Sequence, residues 1–127
     1  MPRPANSSAR CAAVVAAFGM RAFSARANAA AQRALEFAGL GIDDVHVVTT
    51  HNPFAVNDLW FAQQTGYALD KMNPYGCSLV YGHPQGPTGL RAIAELVWAL
   101  QARGGGVGLF TGCAAGDTGA ALVLRLE

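Results

Sequence analysis

Three side chains able to do acid–base or nucleophilic chemistry stand beside glycine, proline or a helix-capping residue: His51, His83 and Cys113. Two imidazoles and a thiol match the donor set of a catalytic zinc site. Metal sites usually carry at least one ligand pair three or four residues apart, and these three stand far from one another along the chain. The spacing therefore argues for no metal. A cysteine and a histidine can instead act as nucleophile and base. Cys113 also has a plainer reading, as a small core residue. His83 sits in the densest stretch of all, Tyr81-Gly82-His83-Pro84-Gln85-Gly86-Pro87-Thr88-Gly89. Glycine permits backbone shapes that a Cβ forbids, and proline keeps the residue before it extended. That stretch reads either as a backbone-lined pocket at the mouth of a helix or as an ordinary strand-to-helix turn. A phosphate-binding loop is excluded, because no Lys-Ser/Thr follows the glycines.

The elements that must hold these groups follow from periodicity. Cys11 to Phe18 reads as a buried strand. Ser24 is placed to cap an alanine-rich helix running to Ala38, ended by Gly39 and Gly41. Val45 to Thr50 is a β-branched strand in which His46 reads as an ordinary side chain. Asn52 as cap and Pro53 at the first helical position predict a helix from Pro53 to Gly66. His51 is thereby left at the carboxyl end of a strand, where open α/β sheets form ligand crevices. Tyr67 to Val80 is loop-like, with a short apolar stretch from Cys77 to Tyr81. Thr88 to Arg103 reads as a helix with Leu90, Ile93, Val97 and Leu100 on one face, stopped by Gly104-Gly105-Gly106. Val107 to Thr111 is a strand, Gly112 to Gly119 a glycine-rich turn, and Ala120 to Leu126 an antiparallel last strand. The order β-α-β-α-loop-α-β-β predicts an α/β domain, a mixed sheet with helices on its faces.

The 127 residues make one domain, with residues 1–10 flexible and 11–127 folded. Apolar residues are 52% of the chain and charged ones only 13%, against about 25% in free-standing soluble domains. The shortfall points to a surface that meets another protein or domain. A net charge of +1 favours neither nucleic acid nor membrane as partner. No apolar run is long enough to span a bilayer. Three cysteines without metal spacing fit a reducing, cytoplasmic compartment. Five arginines precede the first acid, Glu36, which is also the profile of a mitochondrial transit peptide. The strand pattern from Cys11 favours a basic start to an ordinary domain, with the mitochondrial matrix as the alternative compartment.

HNPFA (His51 to Ala55), NPYGCSLVYGHPQGPTG (Asn73 to Gly89) and TGCAAGDTG (Thr111 to Gly119) resemble, in order and spacing, three signature blocks of the thiolase C-terminal half. The resemblance runs from about Cys11 to the last residue. Members of that family read NEAFA, or HDCF in the sterol-carrier-type branch, then NxxGGxxxxGHPxGxxG, then CxGGGxG. The histidine at position 51 is closer to the HDCF branch. Asn52 and Pro53 depart from the first block, Ala115 and Asp117 from the last, which leaves branch and substrate open.

The resemblance implies half of the thiolase fold, a five-stranded mixed sheet with helices on both faces. It implies an acyltransferase of lipid metabolism acting on coenzyme A thioesters by Claisen condensation or thiolysis, with no other cofactor. His51 and His83 would bind the thioester oxyanion, His83 would activate the nucleophile, and Cys113 would be the α-proton acid/base. Asn73, Phe54, Gly82 and Pro84 would shape the substrate pocket. Ala115 and Gly116 would add backbone donors to a second oxyanion hole. A depressed thiol pKa at Cys113 would suit the base role. The family's acylated cysteine belongs to an N-terminal half, and no block here matches it, so the isolated chain should not complete the cycle. A separate N-terminal half is the expected partner, in a homo- or hetero-oligomer. A zinc-ribbon/OB-fold protein of the kind found with sterol-carrier-type thiolases is a further candidate. A split subunit, a truncated product and a fragment all fit. The alternative is an inactive thiolase-like domain that dimerises or scaffolds; a ketoacyl-synthase half fits less well, since that family uses two histidines where this chain has Cys113.

Overall fold

The computed structural model describes residues 9–18, 23–51, 53–114 and 118–127, and side chains from residue 26 onward except that of 114. Strand β1 (Ala9–Phe18) is followed by helix α1 (Phe23–Ala38), strand β2 (Val47–His51), helix α2 (Ala55–Thr65), a one-turn helix α3 (Ser78–Tyr81), helix α4 (Gly86–Ala102), and strands β3 (Gly106–Ala114) and β4 (Thr118–Leu126). The sheet order is β1-β4-β3-β2. β4 lies antiparallel to both β1 and β3, while β2 runs parallel to β3. The sheet is mixed, as the order of elements predicts.

Among the described residues it has four strands, not five. Where a fifth would lie, Met72 makes a single parallel bridge to Val48. Two neighbours stop the extension: Asn73 adopts φ 50°, and Pro74 has no N–H for a ladder.

Side chains alternate across the sheet and build two cores. Val48, Leu109, Ala121 and Val123 face α1 and Phe61 of α2. Val47, Phe110, Leu122, Leu124 and Leu126 face α4. Helices thus cover both faces. Small residues set the layer spacing. Ala30, Ala31 and Ala34 are buried on α1, and a Cβ at Gly119 would lie 2.5 Å from the Arg26 carbonyl oxygen. On the other face a Cβ at Gly108 would lie 2.7 Å from Leu96.

Several boundaries differ from the expectations. α1 begins at Phe23, so Ser24 falls inside its first turn rather than before it. α2 begins at Ala55 with Phe54 in the cap position and no side-chain cap; Asn52, the expected cap, lies outside the described residues. Cys77 occupies the cap position of the single-turn α3, again without a side-chain cap. On α4 the buried stripe is Thr88, Ala92, Glu95, Leu96, Ala99 and Leu100, while Leu90 is exposed. The alanines turn inward because they let α4 sit close to the sheet. The helix ends as expected, at three glycines that all have positive φ. β3 runs three residues beyond Thr111, so Gly112 and Cys113 are strand residues paired with Ala120 and Gly119, not turn residues. No helix among the described residues is long and apolar enough to cross a membrane.

Candidate active site

The carboxyl ends of the parallel pair β2 and β3 form one rim of a cleft of about 620 Å³. His51 is the last residue of β2 and is half-buried. Its register partner is Gly112, where a Cβ would lie 2.6 Å from the His51 Cβ. Only a glycine leaves His51 its place. Cys113, one residue further along β3, lies on the opposite side of the pleat from Gly112. The link between α3 and α4 carries His83. Gly82 turns the chain there with φ 81° and ψ 175°, a region essentially reserved for glycine. Gln85, before α4, has φ 60° and ψ −88°, a strained shape for a residue with a Cβ.

These elements bring the three side chains together. His51 Nε2 lies 3.2 Å from His83 Nε2, with the rings edge-on and their centroids 4.4 Å apart. His51 Nδ1 lies 3.4 Å from Cys113 Sγ. The chain of contacts continues past His83, whose Nδ1 is 3.0 Å from Thr88 Oγ1. The donors are strung in a line, the thiol on one nitrogen of His51 and His83 on the other. They do not surround a common point, as zinc ligands must. Each ring nitrogen can donate or accept according to its tautomer, so such a line can hold and pass protons.

Burial, and then the neighbouring His83, hold the His51 pKa below its ordinary 6.5, which favours the neutral ring. Burial also pushes the Cys113 thiol up, partly offset by a hydrogen bond from its own backbone. The expected depression of that thiol is therefore reversed. Burial, the larger of the two effects, thus favours the protonated thiol.

Other anticipated residues fall in different places. Phe54 lines the cleft with Gln85 and Phe110. Pro84 is exposed and does not line it. Ala115 and Gly116 lie outside the described residues. Asn73 sits below the cleft, in a polar clamp. Its Oδ1 accepts from Thr50 N–H at 2.8 Å, and its Nδ2 donates to Thr50 Oγ1 at 3.0 Å and to Asp58 Oδ2 at 3.2 Å. The Thr50 hydroxyl donates to Asp58 Oδ1 at 2.6 Å. This clamp fixes the residue before His51. Thr50, Asp58 and Thr88 were not legible as site residues. Thr50 and Asp58 sit in ordinary strand and helix patterns, and Thr88, although inside the glycine–proline stretch, had no role assigned to it.

A layered α/β/α domain with a histidine–histidine–cysteine line at its strand ends defines a class that comparison identifies. The family model for the C-terminal domain of thiolase matches residues 6–126. The chain belongs to the thiolase family, as its C-terminal domain. It is 39% identical over 111 residues to the 3-ketoacyl-CoA thiolase of Serratia proteamaculans (strain 568), covering 74% of this chain and 26% of that protein. With the 3-ketoacyl-CoA thiolase of Escherichia coli O81 (strain ED1a) it shares 40% over 111 residues, with the same coverage of each. The fold superposes on the peroxisomal 3-ketoacyl-CoA thiolase of Saccharomyces cerevisiae with a TM-score of 0.84 and 26% identity, over 94% of this chain and 34% of that one. That enzyme is described as a five-layered α-β-α-β-α structure constructed from two core domains of identical topology. The chain thus spans about a quarter of the length of the curated relatives it matches.

Proposed function

We propose that this chain is the C-terminal half of an acyl-CoA thiolase, which exchanges acyl groups with coenzyme A by thiolysis or Claisen condensation of a 3-ketoacyl thioester. The observation that carries the reading is the unbroken line from Cys113 through His51 to His83 at the edge of one cleft. Both half-reactions build negative charge on a thioester oxygen. Preorganised N–H donors in a water-poor site stabilise such charge by several kcal/mol. An oxygen lying between the two Nε2 atoms would accept from both. Cys113 then has the role of acid and base at the α-carbon, giving a proton to the leaving enolate in thiolysis and taking it back in condensation. A buried thiol suits the donor step, and loss of that proton leaves the thiolate that is the base for the next. His51 in place of an asparagine keeps the proposal nearer the HDCF branch.

The nucleophilic cysteine in this reading lies in an N-terminal half, on another chain or another segment. Two considerations support such a partner. The relatives are three to four times as long as the stretch they share with this chain. Two α/β/α domains give five layers only by sharing one helical layer, so each must expose a face for the other. A cytoplasmic oligomer, with a zinc-ribbon/OB-fold protein as a further partner, completes the proposal; a scaffold without turnover is the outcome the test must exclude. Mixed with its N-terminal half, the chain should cleave acetoacetyl-CoA, and Cys113→Ala should lower turnover at least a hundredfold with an unchanged circular-dichroism spectrum. Full turnover by that variant would remove Cys113 from the chemistry. No turnover with any N-terminal half would leave the scaffold.

A further inference from the structure

We propose that Thr88 is a positioning residue that selects the tautomer of His83 and, through His51, couples that choice to the proton on Cys113. The four groups form one continuous series: Thr88 Oγ1 to His83 Nδ1 at 3.0 Å, His83 Nε2 to His51 Nε2 at 3.2 Å, and His51 Nδ1 to Cys113 Sγ at 3.4 Å. A neutral imidazole carries one N–H and one acceptor nitrogen. Only one proton fits between two Nε2 atoms 3.2 Å apart.

Two arrangements then satisfy every contact. In the first, the Cys113 S–H donates to His51 Nδ1, His51 Nε2–H donates to His83 Nε2, and His83 Nδ1–H donates to the Thr88 oxygen. In the second, all directions reverse: the Thr88 O–H donates to His83 Nδ1, His83 Nε2–H to His51 Nε2, and His51 Nδ1–H to the Cys113 thiolate. The second holds one proton fewer, which has gone to solvent; no bond between heavy atoms forms or breaks. The reversal needs an end group that accepts in one arrangement and donates in the other. A hydroxyl does both. Thr88 is 1% exposed and holds this end of the series from inside the fold, while the His83 ring is exposed. It lies in the first turn of α4, next to the strained Gln85, whose carbonyl accepts the Thr88 N–H at 3.2 Å.

Asp58 of α2 borders the small cavity beside His51 and Cys113, and there it bonds Thr50 and Asn73. Arg26 of α1 meets the neighbouring Gly119 with its backbone carbonyl. Neither stands between members of the series.

The catalytic meaning rests on the acyl-transfer reading. For an oxygen anion to receive two N–H donors, both rings must carry their proton on Nε2. His51 does so only if Cys113 is a thiol that donates to its Nδ1, and His83 only if Thr88 donates to its Nδ1. Thr88 and the Cys113 proton are therefore the two conditions for a two-donor oxyanion site.

The test needs neither substrate nor partner half. Long-range proton–nitrogen NMR of the ¹⁵N-labelled full chain reads both tautomers across a pH series, while mass spectrometry follows alkylation of Cys113 by iodoacetamide in the same samples. In the wild type, both rings should exchange their N–H positions together, at the pH where Cys113 becomes reactive. In Thr88→Val, His83 should stay in one tautomer throughout, and Thr88→Ser should restore the switch. A wild-type His83 that keeps one tautomer while Cys113 titrates overturns the proposal, and so does a folded Thr88→Val that switches like wild type. Turnover of the reconstituted mixture is scored separately. Intact turnover without the tautomer switch sinks this inference alone, and an intact switch without turnover in any mixture sinks the acyl-transfer reading alone.

Discussion

At the scale of single residues, the site depends on what is missing as much as on what is present. Gly112 leaves the room in which His51 stands. Gly112→Ala should push the His51 ring away from Cys113, at a cost of about 1–3 kcal/mol in stability and with loss of the tautomer coupling. Chemical denaturation and imidazole NMR of the same variant check both. His51 also gives the chain a pH dependence with a definite sign. Its folded-state pKa lies below the ordinary 6.5. The unfolded chain therefore binds more protons as pH falls from 6.5 toward the folded value, and stability drops in that window and levels off beneath it. A urea-midpoint series from pH 7.5 to 4.5 should show this slope, reduced in His51→Gln. Half-burial of the ring keeps the effect small.

At the scale of elements, the connection between α3 and α4 and the clamp under β2 do the positioning. Asp58 is 8% exposed and bonds both Thr50 and Asn73. Asp58→Ala leaves those polar groups without their acceptor in a closed site, which should cost about 1–3 kcal/mol and loosen the end of β2. Amide exchange should speed up at Thr50 and His51 more than in β4. The four-stranded sheet belongs to this scale too. Periodicity made β1, β2, β3 and β4 legible because their apolar residues must alternate or run unbroken to be buried. The extent of β3 was not legible. Gly112 and Cys113 look like turn residues in sequence, and only pairing with Ala120 and Gly119 keeps them extended. The inner face of α4 was legible in part: Leu100 is buried and Ile93 and Val97 pack against the same cluster, while Leu90 is exposed. Leu90 has the hydrophobicity of a core residue, but Leu96 and Leu100 are the α4 side chains seated over Gly108, with Ala92 and Ala99 buried beside them.

At the scale of the whole molecule, the low charged fraction has a visible counterpart. Leu90 and Trp98 on α4, Leu79 and Val80 on α3, and Phe54, Val56 and Leu59 near α2 are all well exposed. On the proposed reading, a nucleophile must reach His51 and His83. His51 shares the face of the sheet that Val47 and α4 occupy, so α4 is the helix that the partner half should cover. The chain has two tryptophans, Trp60 on α2 and Trp98 on α4, both exposed. Adding the N-terminal half should shift emission to the blue in Trp60→Phe, which keeps Trp98, and leave Trp98→Phe nearly unchanged. The opposite pattern would put the shared layer on the α1/α2 face. By itself the sequence determined the α/β class, the helix stops at glycine, the family, and the three side chains worth watching. Those follow from local propensity, periodicity and motif, which are written along the chain. Tertiary structure alone decided that the three meet in a line rather than around a point, that Thr88 ends that line, and that burial raises the thiol instead of lowering it. Distances between residues remote in sequence, and the water that packing excludes, exist only once the layers have closed.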